Sequence, residues 1–195
     1  MQEKTPKPID TISANVKDGA EPLSYNNKPT NYNLLDFWRW SVSDLLSNTT
    51  RGRLAEFIVG TAIGLDPNNL REEWDNYDLV TRDGTTIEVK SAAYLQSWRQ
   101  DKLSSISFSI KPTHAWTEEN GRSPIAKRQA DIYVFCLLKH KDPKTIDPLK
   151  LEQWDFFVVP TERLNKEFGE QERIGLTTLI KLAEPITYKK LRNYF

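Results

Sequence analysis

The chain has 195 residues, 38% of them hydrophobic, with 11 prolines and six tryptophans; one globular domain with a real core fits, and a collagen-like repeat or a wholly disordered chain does not. Its single cysteine, Cys136, excludes an intramolecular disulfide and a multi-cysteine zinc site. Lys+Arg and Asp+Glu are equal at 27 each, so attraction to a polyanion must come from a local basic surface rather than from the whole molecule.

The first residues, Met-Gln-Glu-Lys-Thr-Pro-Lys-Pro, have no apolar stretch after their charges, as a secretory signal would. No apolar run is long enough to cross a bilayer, so the cytoplasm is the expected location and no membrane partner is expected. Residues 1–30 carry Pro6, Pro8, Pro22 and Pro29 among polar residues and read as a mobile N-terminal arm, leaving residues 31–195 as a single domain. Order is expected from Asn33, an N-cap with Asp36 in the first turn, followed by Leu34, Trp38, Val42, Leu45 and Leu46 at helical spacing. A second helix is expected over about Arg51 to Ile63, with Leu54, Phe57, Ile58 and Thr61 facing a core.

After Pro67 the pattern turns to strands, at Tyr77 to Thr81 and Thr85 to Ser91, joined across Arg82-Asp83-Gly84. Ser104 to Lys111 alternates isoleucine and phenylalanine with serine, as a strand with one wet face does, and Pro112 ends it. An irregular basic region follows. Ile132 to Leu138 and Trp154 to Val159 are continuous apolar runs suited to strands buried on both faces. Helices are expected at Thr161 to Glu167 and Leu176 to Leu182, with a short one at Tyr188 to Asn193. The order predicts an α/β fold, a sheet covered by helices.

Three acidic residues stand out. Glu56 is the only charge between Leu54 and Leu65, about 200° round the helix from Leu54 at 100° per residue. It faces either solvent or a second cleft lined by Gly52, Val59 and Ile63. In Thr86-Ile87-Glu88-Val89-Lys90-Ser91, strand alternation puts Glu88 and Lys90 on one face, which is also the pattern of an ordinary wet face. Asp78 lies on the preceding strand, and the turn decides whether it meets Glu88. A two-residue loop at Asp83-Gly84 puts Leu79 opposite Glu88; a three-residue loop with Gly84 left-handed puts Asp78 there. Two opposed carboxylates ask for a compensating cation.

Glu56 on a helix, Asp78 on a strand and Glu88-Val89-Lys90 on the next resemble the signature of the PD-(D/E)XK nuclease superfamily, over roughly residues 34–160. Tyr77 stands where that signature has proline, and Asp75 competes with Asp78 for the acidic position. The resemblance implies a restriction-endonuclease-like fold, a central mixed β-sheet flanked by helices. It further implies a DNA endonuclease with a restriction or defence role, in which Asp78, Glu88, the Val89 carbonyl and Glu56 hold Mg²⁺ (or Mn²⁺) and Lys90 orients the attacking water. The alternative is a binding or assembly module of the same fold that does not cut. DNA is the expected partner, with RNA left open, and a homodimer or partner subunit is compatible with this size.

Gln96, Trp98 and Arg99, just beyond the catalytic strand, are candidates for substrate contact: an amide to bond a base or phosphate, an indole to stack, a cation for phosphate. From Arg99 to Arg128 six basic residues face three acidic ones, a modest local excess. His114 reads as a surface or packing histidine, and with only His140 besides, a His-rich zinc site is disfavoured. Cys136 lies inside an apolar strand and is expected to be inert. No glycine pattern for a nucleotide cofactor is present.

Overall fold

The computed structural model describes residues 12–71, 76–117 and 121–195. Four strands form the central sheet: β3 (Leu79–Val80), β4 (Thr86–Ala93), β8 (Ile132–Leu138) and β9 (Trp154–Pro160), in the order β3-β4-β8-β9. β4 runs parallel to β8, with Glu88 beside Tyr133 and Lys90 beside Phe135; the two outer pairings are antiparallel, so the sheet is mixed. β8 and β9 are buried along nearly their whole length, which is why their sequences read as unbroken apolar runs.

On one face the sheet packs against α2 (Asn48–Ile63) and α5 (Tyr188–Arg192), around Ile87, Val89, Val134, Trp154 and Phe156. The other face carries Phe135, Leu137, Phe157 and Val159. It is closed by β5 (Ser107–Ser109) paired with β10 (Arg173–Gly175), and by α3 (Thr161–Phe168) and α4 (Leu176–Leu182). The alternation expected near Ser104 to Lys111 is visible as buried Ile106, Phe108 and Ile110, although only three residues pair as strand.

The structure departs from the sequence reading in three places. Order does not wait for Asn33: β1 (Pro22–Tyr25) and β2 (Lys28–Asn33) form a hairpin within the stretch expected to be an arm, and residues 1–11 lie outside the described residues. The region expected to be irregular holds a second hairpin, β6 (Thr113–Thr117) with β7 (Gly121–Lys127). In α2 the buried stripe is Arg51, Ala55, Ile58, Val59 and Ala62, while Phe57 is 49% exposed. Small alanines let the helix lie close on the sheet, a preference that a count of large apolar side chains does not register. The expected start at Asn33 holds: its side chain accepts from the Asp36 N–H at 3.0 Å and Asp36 returns the bond, capping α1 (Leu34–Val42). Gly60 and Gly64 serve the end of α2: Leu65 packs where a Cβ on Gly60 would meet it at 2.9 Å, and Gly64 caps the helix at φ 86°.

Candidate active site

The turn between β3 and β4 settles the register. Leu79 pairs with Ile87 and Val80 with Thr86, so the loop is Arg82-Asp83-Gly84; the pairing ends at Leu79, and Asp78 just before it lies near enough to Glu88 for its charge to bear on that carboxyl. Gly84 sits at φ 88°, the left-handed position that closes a three-residue hairpin. The Asp78 N–H still donates to the Ile87 carbonyl at 3.0 Å, but the side chain then leaves the ladder: Asp78 Oδ2 accepts from the Val89 N–H at 2.7 Å. A carboxylate therefore takes the place of the next backbone acceptor where β3 ends. The Val89 carbonyl, on the same side of β4 as its N–H, points toward the same edge.

Ile87 and Val89 are buried against α2, and strand alternation sends Glu88 and Lys90 to the opposite face. This is no wet face: the side chains of Glu88 and Lys90 are only 20% and 30% exposed, and they form an ion pair. Burial pushes the Glu88 carboxyl above the ordinary glutamate range; Lys90 opposes that, and the charge of Asp78 adds to it. Glu56, on the third turn of α2, is turned into a cleft rather than to solvent, with 15% of its side chain exposed. Its carboxyl is likewise raised, first by burial, against the lowering influence of Arg71 and with a further push from Asp78. Arg71 spans the gap, with Nε 2.5 Å from Glu56 and Nη2 3.6 Å from Asp78.

Two pockets flank this edge. One, of about 380 Å³, is lined by Asp78, Glu88, Lys90, His114, Gln129 and Tyr133 among others. The other, of about 580 Å³, has Glu56, Phe57, Tyr77 and the arginines Arg53, Arg71 and Arg82 in its wall. Arg71, Tyr77 and Asp78 border both. Glu56, Asp78, Glu88 and Lys90 are thus brought to one sheet edge. Among the described residues, no three carboxylate, imidazole or thiol groups converge closely enough to hold a metal ion by themselves; Glu56 is turned to Arg71 and Glu88 to Lys90. The donor set nevertheless suits a hard divalent cation: it is all oxygen, its carboxylates repel one another, and such ions take one or two carboxylates and complete their shell with water and phosphate. Asp75 lies outside the described residues.

The three candidates for substrate contact lie elsewhere. They follow the far end of β4, about 10 Å beyond Lys90 at the rise of a strand. Gln96 is committed within the protein, its amide donating to the Ala93 carbonyl at 2.9 Å and its oxygen accepting from Arg51 at 3.2 Å. Trp98 and Arg99 are exposed on the loop. Arg51 itself is 3% exposed and also holds the Leu46 carbonyl, Asn48 and Ser91, so it ties the start of α2 to β4. Arg128, counted above with the basic excess, is buried and spent on the Ile110 and Gln171 carbonyls and Asn165.

Sequence reasoning missed several pocket residues. His114, read as surface or packing, lines the smaller pocket from β6 while one ring nitrogen meets the Ser123 carbonyl at 2.8 Å. The hairpin that carries it is tied to the segment before Asp78 by the Trp116 N–H, which donates to Asn76 at 3.2 Å. In the sequence, the Asn120-Gly121 dipeptide was an available hairpin signal. Tyr133 is reached only through the β4·β8 register, and its hydroxyl is held protonated by burial and then by the negative charge of Glu88. Cys136 is buried with its thiol pushed well up by burial, as an inert core cysteine would be.

No curated protein matches the chain in a sequence search. The family model described as bacteriophage T4 endonuclease IV matches residues 7–172, a span that contains α2, the three hairpins and Glu56, Asp78 and Glu88. The chain belongs to the bacteriophage T4 endonuclease IV family.

Proposed function

We propose that this protein is a metal-dependent endonuclease that hydrolyses phosphodiester bonds of DNA at the edge where β3 ends, and that its sheet is a restriction-endonuclease-like core. The observation that carries the reading is Asp78 bonded to the Val89 N–H and near enough to Glu88 for its charge to act there, with Lys90 paired to Glu88 and Glu56 facing the same edge, in a chain whose family is named for an endonuclease. Asp78, Glu88 and the Val89 carbonyl would hold Mg²⁺ or Mn²⁺, with Glu56 reaching the ion or its water. The bound ion supplies neutralisation of phosphate charge and a water of lowered pKa.

The chain's own groups do the rest. Asp78 stays aimed at the edge because the Val89 N–H holds one of its oxygens. Lys90, already against Glu88, donates to the attacking water or to a non-bridging oxygen as negative charge builds at phosphorus. As the water oxygen bonds to phosphorus, the bond to the leaving sugar oxygen breaks and that oxygen takes up a proton. Arg53, Arg71 and Arg82 border the larger pocket, where a phosphate backbone is best accommodated. A setting in restriction or defence is part of this reading by analogy with enzymes carrying the same arrangement.

The test is cleavage of supercoiled and linear DNA with Mg²⁺ or Mn²⁺, and with chelator, by the intact protein and by Glu88→Ala and Lys90→Ala. Cutting that requires the ion and disappears in both folded variants is expected. Undiminished cutting by both variants, or by chelated protein, refutes the site; absence of cutting of DNA and RNA by folded protein favours the non-catalytic binding module.

A further inference from the structure

The hairpin β1–β2 and helix α1 form a small unit with almost no interior. None of the nine residues of α1 is buried. Its start is fixed to the chain just before it, with the Leu34 and Leu35 N–H groups donating to the Glu21 and Gly19 carbonyls at 2.9 Å, and Trp38 lies over Gly19. The other side of the helix carries Phe37 and Trp40, ring centroids 6.4 Å apart and 49% and 84% exposed. The hairpin turns at Asn26 and Asn27, both at positive φ, and exposes Leu23 at 48%, Tyr25 at 76% and Tyr32 at 66%. Such a turn is costly for residues other than glycine and asparagine, which marks the hairpin as built rather than incidental.

An isolated two-stranded hairpin is marginal in water, and so is a nine-residue helix. At those exposures, and taking about 150–250 Å² for each aromatic, Tyr25, Tyr32, Phe37 and Trp40 offer on the order of 400–700 Å². A standard interface takes roughly 800 Å² from each partner. Charge decides against a polyanion: between Ile12 and Asp44 the unit has Lys17, Lys28 and Arg39 against Asp18, Glu21, Asp36 and Asp44, a net of minus one. Exposed side chains that are apolar, sit in a nearly neutral unit and approach in area one partner's share of a small two-fold contact suit the same side chains on another molecule, the commonest symmetry of soluble oligomers.

We infer that residues 18–42 are a dimerisation arm, and that a second copy of this chain covers Tyr25, Tyr32, Phe37 and Trp40 in solution. The inference stands apart from the nuclease reading, because none of these residues borders the carboxylate edge. The experiment is sedimentation equilibrium of the full chain from 1 to 100 µM, alongside Phe37→Glu/Trp40→Glu and the control Trp116→Glu, an exposed tryptophan on β6. The wild type and the control should reach about 45 kDa, twice the chain's 22.6 kDa, while the double variant needs at least about 30-fold more protein to do so and keeps its far-ultraviolet circular dichroism. A monomeric wild type at 100 µM overturns the inference, and so does a double variant that still pairs. Loss of binding to a fluorescent oligonucleotide with no change of mass also overturns it and assigns the patch to nucleic acid. If the double variant loses its far-ultraviolet signal, Tyr25→Lys/Tyr32→Lys replaces it: weakened pairing is again expected, and undiminished pairing overturns the inference.

Discussion

Replacing Asp78 by asparagine and by alanine separates its work in the fold from its work in the site. In the fold it makes one charge-assisted bond, accepting from the Val89 N–H at 2.7 Å, and a looser contact with Arg71 at 3.6 Å. Bonds to a charged partner are worth about 1.5–3 kcal/mol when water is excluded. Here the carboxylate is half-buried beside an open pocket, so water replaces part of the loss and alanine should cost about 1–2 kcal/mol. Asparagine keeps an acceptor for Val89 and removes a negative charge that bears on Glu56 and Glu88, so its stability should lie within about 1 kcal/mol of wild type. Activity should separate sharply from stability. If Asp78 binds the metal, both variants lose at least about 10³-fold in cleavage rate, equivalent to about 4 kcal/mol. Urea unfolding and cleavage of supercoiled DNA on the same preparations give the two numbers. An asparagine variant that cuts within 10-fold of wild type refutes the assignment of Asp78 to the metal.

Two further predictions concern the frame and the charge of the site. Arg51→Met should cost about 3–5 kcal/mol in urea unfolding, because it strands the Leu46 carbonyl, Asn48, Ser91 and Gln96 inside the protein and only partly recovers the desolvation that pulls the guanidinium pKa down; a loss under 1 kcal/mol would mean that the bonds only balance burial. Glu88→Gln should stabilise the metal-free protein at pH 8. Folding raises the Glu88 pKa above its ordinary value near 4.5, so the folded state binds more protons, and stability falls as pH rises from that value through the folded pKa. The advantage of glutamine should therefore be full above the folded pKa and vanish below pH 4.5, as unfolding in chelator across pH 4–8 would show; an advantage that grows toward acid contradicts the sign.

The parts of the fold that one strand or one turn dictates were legible in the sequence. Ile132–Leu138 and Trp154–Pro160 are strands because two buried faces require an unbroken apolar run, and Asn33 with Asp36 caps α1 because that reciprocal bond needs only residues three apart. The register of β3 on β4 was reduced to two versions, and Gly84 selected the three-residue loop that the structure has; the ladder then ends at Leu79, one residue short of Asp78. What depended on distant packing was not legible. The buried face of α2 is set by Arg51 and alanines, and Arg51 is inside only because acceptors from the α1–α2 connection, β4 and the loop after β4 converge on it. Arg71 sits in a polar stretch with no periodic signal, yet it links Glu56 to Asp78. Gln96 looked available for substrate and is instead part of that same Arg51 network.

Four of the chain's cations fall into two pairs with different work, and on the proposed function the division accommodates a site for a polyanion in a chain of zero net charge. Arg51 and Arg128 are buried and bonded only to neutral oxygens, so they fix helices and loops to the sheet and lend almost nothing to the outer field. Lys90 and Arg71 stand beside carboxylates at the rims of two pockets, only partly shielded from water. Their pairing offsets the repulsion among Glu56, Asp78 and Glu88 at one sheet edge. On the proposed function, with Asp78, Glu88 and Glu56 holding a divalent cation, Lys90 and Arg71 would be placed to meet phosphate. On that reading the chain needs no global positive charge, because the cations that would meet phosphate stand within the two pockets that share Asp78.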